Sequence, residues 1–166
     1  MEVTEKMLKE GGDSLFYAII NGEELTQTIK THRGIFVIKY ANQRELQKID
    51  WIVARMRAGV PTECFDAVAN LSLIKTATLD VLTVTGADWY EKAKVKNENF
   101  SWRDVPDTEL IDELYVKAFT FREEVKNQIG RAKKEADSAK SEHEDVQKTL
   151  DDDVFSGVTG DTKTGQ

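Results

Sequence analysis

Cys64 is the one cysteine of the chain, and His32 and His143 are its two histidines. A thiolate nucleophile needs a base beside it, and neither histidine stands in a recognisable catalytic signature. Cys64 precedes Phe65 on a predicted helix, so a buried structural thiol is the simpler reading. A single thiol forms neither an internal disulfide nor a thiolate cluster. Two histidines so far apart do not suggest a metal centre either, so no metal and no cofactor is expected. Asp88, Asp104, Asp107 and Asp112 could supply paired carboxylates for acid–base work or for Mg²⁺. Helix caps and solvated helix faces account for them with less. His32, beside Arg33 and Gly34, reads as a turn residue. Phosphate-binding glycine loops, dinucleotide fingerprints and zinc-protease helices are absent from the sequence. Gly157-Val158-Thr159-Gly160 has no strand before it and no lysine after it, and reads as tail. No residue is assigned a catalytic role, and the chain is expected not to be an enzyme.

Charge narrows the partners. The 166 residues hold 23 Lys and Arg against 30 Asp and Glu, a net charge of −7. Nucleic-acid binding draws on clustered cations, so no nucleic acid is expected as partner. Arg44, Lys48, Arg55 and Arg57 make a basic helix face that could meet phosphate, but Glu45 and Asp50 interrupt it and a solvated face is the default. Residues 1–130 carry 17 basic and 21 acidic side chains, whereas residues 131–166 carry 6 and 9. The acidity is thus concentrated in a C-terminal appendage. Glu2 and Glu5 stand where a secretory signal would be basic, and the apolar run Phe16 to Ile20 is too short for its core. Nothing approaches the roughly 20 apolar residues of a membrane span. A soluble protein that stays in its compartment of synthesis, with no membrane partner, is expected.

The aromatic residues are the most distinctive material. Trp51, Trp89, Tyr90, Phe100, Trp102, Tyr115, Phe119 and Phe121 crowd the centre of the chain, and most of them read as core. Phe119 and Phe121 cannot share a helix face, because two residues turn a helix by about 200°. Leu114 and Phe121 share one side, and Tyr115 and Phe119 another. The helix is therefore covered over more than half its girth, or it offers one apolar edge to a partner.

The elements that must position these residues read as α+β: a small N-terminal antiparallel β-meander, then a helical bundle, a long C-terminal helix and a flexible acidic tail. Residues 1–14 read as a polar lead-in, with room for one short helix stopped by Gly11-Gly12. Leu15–Ile20 is aromatic and β-branched and runs into Asn21-Gly22, so a strand and a tight hairpin are predicted. A helix over 14–21, capped by Asp13 or Ser14, is the competing reading. Leu25–Thr31 and Ile35–Ile38 follow as strands around Gly34. Leu46, Ile49, Ile52, Val53 and Met56 then recur at helical spacing. Thr62 is predicted to cap a second helix that Gly86 stops, with a break near Asn70-Leu71-Ser72 left open. Residues 87–105 have no period and read as a loop whose aromatics dock on the helices. A third helix begins after Pro106-Asp107, with Leu110, Ile111, Leu114, Ala118 and Val125 on its apolar face. A compact domain over 1–130, a polar helical extension over 131–150 and the tail over 151–166 complete the organisation. Positions 111, 118, 125, 132, 139 and 146 are all apolar at steps of seven, but polar companions rule out a two-seam coiled coil.

The run Ala77-Thr78-Leu79-Asp80-Val81-Leu82, then Ala87-Asp88-Trp89-Tyr90, Trp102, and Pro106-Asp107 leading to Leu110, Leu114-Tyr115 and Phe121, resembles the small tail assembly chaperones of long-tailed bacteriophages. The similarity spans roughly Ile35 to Val125. It implies a non-catalytic protein of the infected host cytoplasm that binds the tape-measure protein, keeps its apolar helix soluble and recruits tail-tube subunits. Trp89, Tyr90, Trp102, Leu114, Tyr115 and Phe121 are the partner-binding candidates, and homo-oligomerisation is compatible with the same surface. The alternative is a structural component of the virion, such as a tail or connector subunit. Residues 131–166 exceed the family's basic pattern.

Overall fold

Gly12, Leu15 and Ala18 fall at three-residue spacing and are all buried, which is the signature of a helix lying on a core. The first described element is accordingly α1, Gly12–Ile20, which bears out the competing helix reading and corrects the strand reading of Leu15–Ile20. Gly22, at φ +79°, is the reason the local signals misled. Its N–H donates to Ile19 C=O at 3.1 Å, and the Glu23 N–H donates to Ala18 C=O at 2.9 Å, so Asn21-Gly22 closes a helix instead of a hairpin. The structure, a computed structural model, describes residues 12–155, with side chains as far as Arg131. Residues 1–11 of the predicted lead-in and residues 156–166 of the predicted tail lie outside the described residues.

Strands β1 (Thr26–Thr31) and β2 (Gly34–Lys39) form an antiparallel hairpin in which Thr26 faces Lys39 and Thr31 faces Gly34. Alternation holds on both strands. Ile29 on β1 and Phe36 and Ile38 on β2 turn into the core. Gly34 lies at φ +128°, where a Cβ would also meet the Ala87 Cβ at 2.6 Å, so only glycine fits this turn.

Helix α2, Gln43–Met56, begins at Asn42, whose Oδ1 accepts from the Arg44 N–H at 2.8 Å and the Glu45 N–H at 3.2 Å. Its buried line is Glu45, Ile49 and Val53. Thr62 does not cap a helix. Thr62–Cys64 is one 3₁₀ turn, and Asp66 caps the unbroken helix α3, Ala67–Leu82, accepting from the Val68 and Ala69 N–H groups. Strand β3, Thr83–Thr85, follows α3 without a loop and adds to the free side of β2 antiparallel, giving sheet order β1-β2-β3. The third strand of the sheet thus comes from the end of a helix and not from the N-terminus.

Residues read as an aperiodic loop hold helix α4, Asp88–Lys96, and a 3₁₀ turn over Trp102–Asp104. Helix α5 runs unbroken from Thr108 to Phe155, through the predicted extension and into the segment read as tail. Asp107 Oδ1 accepts from the Leu110 N–H at 3.1 Å at its start. Helix α5 is the spine: α1, α3 and β1 all pack on it, and α2 packs on α3. Leu110, Leu114, Phe121 and Val125 are its fully enclosed contacts.

Candidate functional site

Phe36 on β2 centres a cluster of rings, with Trp89, Tyr90 and Trp102 centroids at 6.0, 5.9 and 5.5 Å. Tyr90 stacks on Trp102 at 5.1 Å and meets Phe100 edge-on at 5.5 Å. Such pairs contribute roughly 0.5–1.5 kcal/mol each beyond simple burial. The indole N–H groups are satisfied: Trp102 donates to Thr83 Oγ1 at 3.1 Å and Trp89 to the Arg33 carbonyl at 3.0 Å. Asp80, near the end of α3, accepts from Ser101 Oγ and the Trp102 N–H. Burial outweighs those bonds and raises the Asp80 pKa above the ordinary carboxylate value. Burial likewise pushes the Tyr90 hydroxyl up to about 12.

The six partner-binding candidates therefore divide. Tyr90, Trp102, Leu114 and Phe121 lie in the core and present no side chain to a partner. Their periodicity is that of residues which build the domain. Trp89 and Tyr115 remain partly exposed and lie in separate places. Trp89 borders a cavity of about 240 Å³ with Arg33, Val105, Pro106, Asp107 and Leu110. Beside it Arg33 Nε donates to Asp107 Oδ2 at 2.6 Å and His32 Nε2 lies 3.1 Å from the same oxygen. The Arg33 bond, the Leu110 N–H and His32 together hold the Asp107 pKa down at about 2.

Tyr115 lines a second depression, about 200 Å³, between α2, α3 and α5. Leu46 and Ile49 of α2, Ile74 and Leu82 of α3, and Tyr115 and Phe119 of α5 form its apolar surface. Phe119 stands 54 % exposed at the lip, with Val116 at 59 % on the same helix. Arg122 and Asp50 supply the charged rim, and Arg122 Nε is buried with no hydrogen-bond partner. Of the two sequence alternatives, a largely covered helix or one with an exposed apolar edge, α5 has Phe119 exposed beside the partly exposed Tyr115, while Leu114 and Phe121 are buried. The 200° offset between Phe119 and Phe121 separates the two faces, and packing decides which of them is covered.

The chemistry-bearing side chains are spread over the surface. Asp104 Oδ2 accepts from the Ser101 N–H at 3.0 Å, Asp112 Oδ1 pairs with Lys75 at 2.7 Å, and Asp88 is exposed at the start of α4. Cys64 is exposed, not buried, because Thr62–Cys64 forms a surface turn ahead of α3. Among the described residues no group of three or more His, Cys, Asp and Glu is placed to hold a metal ion. No described helix is long and apolar enough to cross a membrane.

No family model, curated protein or solved structure matches this chain. The groove between α2, α3 and α5 combines apolar lining, charged residues at its rim and an exposed ring on α5.

Proposed function

We propose that this chain is a non-catalytic tail assembly chaperone of a long-tailed bacteriophage, acting in the host cytoplasm to bind the tape-measure protein and assist tail-tube assembly. The observation that carries the reading is the groove between α2, α3 and α5, with Phe119 exposed at its lip. An amphipathic helix lays an apolar ridge into such a seat, and burial of that ridge keeps an otherwise insoluble helix in solution. Arg122 offers a buried N–H donor at the rim. The net charge of −7 suits a carrier that must keep an apolar client dispersed. The resemblance of residues 35–125 to these chaperones supplies the identity of the client.

Co-expression with a fragment of a candidate tape-measure protein tests it. The soluble yield of the fragment should rise severalfold with the native chain and return to baseline with Phe119→Asp. No gain with any tail protein would overturn the reading. Mass spectrometry of purified particles separates the chaperone from the alternative, a tail or connector subunit, because a chaperone leaves the assembly and a structural subunit stays.

A further inference from the structure

Arg44, Lys48, Trp51 and Arg55 recur along α2 at steps of four, three and four, and all four are exposed. Steps of three and four keep residues on one line of a helix, here about 16 Å long at 1.5 Å per residue. Glu45 does not interrupt this line. It flanks the line on the buried side of α2, where its Oε1 lies 3.3 Å from Lys39 Nζ and 3.9 Å from Lys48 Nζ. Asp50 lies off the line by one residue and borders the groove instead. Arg57 is drawn away to Asn70 Oδ1. Trp51 is 63 % exposed, and the Arg55 guanidinium lies 5.6 Å from its ring centroid. Lys48 has one loose partner, Glu45 Oε1 at 3.9 Å, and Glu23 and Glu24 border the Arg44 end. The result is a cationic stripe with a solvent-facing indole at its middle, on a chain whose net charge is −7.

The chain also carries the complement. Residues 131–150 hold five basic and five acidic side chains, whereas residues 151–166 hold four acidic and one basic. The whole −3 of the C-terminal appendage therefore falls after residue 150. It begins with Asp151-Asp152-Asp153-Val154-Phe155, three carboxylates followed directly by two apolar residues. Continuous helix α5 carries the chain about 36 Å from Arg131 to Phe155 at 1.5 Å per residue, a reach sufficient to meet a second copy. We propose that the α2 stripe receives the acidic segment 151–155 of a second copy of this chain. The pairing joins an acidic and apolar segment to a cationic and aromatic stripe, so charge and apolar character are complementary on the two partners. Two copies that exchange segments satisfy both stripes at once and close a two-fold dimer. This inference is independent of the chaperone reading, since it uses neither the groove nor a client.

Sedimentation equilibrium on the full chain tests it. The native chain should be dimeric at about 50 mM NaCl and at least tenfold weaker in association at about 500 mM, because screening acts on exposed pairs. The stripe variant R44E/K48E/R55E and the tail variant D151K/D152K/D153K should each sediment as folded monomers. Mixed together they should form a heterodimer, since the reversed stripe then meets the reversed tail and the native stripe the native tail. That recovery cannot arise from misfolding. A native chain that is monomeric at low salt, single variants that still self-associate, or a mixture that stays monomeric would each overturn the proposal. So would a single-stranded oligothymidylate that binds the native stripe while self-association is unmoved by charge reversal.

Discussion

Asp80 accepts a hydrogen bond from the Trp102 N–H at 2.8 Å, and its second oxygen accepts from Ser101 Oγ at 2.6 Å. One carboxylate near the end of α3 thereby anchors the segment that inserts Trp102 against Phe36 and Tyr90. Asp80→Ala leaves a hydroxyl and an amide without their acceptor. The expected loss is about 1–3 kcal/mol in urea unfolding, the cost of orphaned buried donors. The near-ultraviolet dichroism of Trp102 should weaken with it. An unchanged unfolding midpoint would remove Asp80 from the architecture.

Asp107 sets an acid limit. Arg33, the Leu110 N–H and His32 hold its folded pKa at about 2, below the ordinary 3.8. A depressed carboxylate stabilises the fold above its unfolded pKa, and that contribution disappears as pH falls from about 4 to about 2. Asp107→Asn keeps an oxygen to cap α5 but removes the titration. The urea midpoint of the native chain should therefore fall more steeply than that of the variant across this window. Parallel slopes would show that the Arg33 contact has no role in acid stability.

Gly12 tests how α1 docks. A Cβ at this position would lie 2.1 Å from the Gln128 carbonyl oxygen and 2.8 Å from Ile129 Cα, both backbone atoms of α5. Neither can rotate aside, so Gly12→Ala must lift the start of α1 from the spine. Overpacking of this kind costs about 1–3 kcal/mol. Amide exchange at Leu15 and Ala18 should accelerate by about tenfold or more while α3 stays protected. Equal protection throughout would mean that α1 seats differently.

Legibility followed the distance over which each signal acts. Helix α2 was readable because Asn42, Ile49 and Val53 carry cap and period within one segment. The start of α5 was readable for the same reason, with Asp107 bonded to Leu110. Helix α1 is ambiguous in the sequence between strand and helix, because Gly22 at positive φ serves a hairpin and a helix end equally well and only the packing of α1 on α5 decides. Strand β3 carries three residues and exists because β2 offers it an edge. The Asp80–Trp102 contact joins residues separated by 22 positions, and no local pattern announces it. In the groove, periodicity paired Tyr115 with Phe119 and Leu114 with Phe121. It could not say which pair the sheet and α1 would cover.

The two faces of α5 give the last prediction. Leu114 is fully enclosed and Phe121 nearly so, with Phe121 edge-on to Tyr40 at 6.4 Å, whereas Phe119 is 54 % exposed over the groove. Leu114→Ala and Phe121→Ala each open a cavity and should cost about 2–5 kcal/mol. Phe119→Ala removes few contacts and should stay within about 0.5 kcal/mol of the native chain. On the proposed chaperone function, the order reverses for client binding. Phe119→Ala should abolish rescue of a tape-measure fragment by a fully folded chain, because the lost ring is the exposed lip of the groove. Leu114→Ala should impair rescue only in proportion to the unfolded fraction measured at the same temperature. A folded Phe119→Ala chain with full rescue would move the client site off this groove.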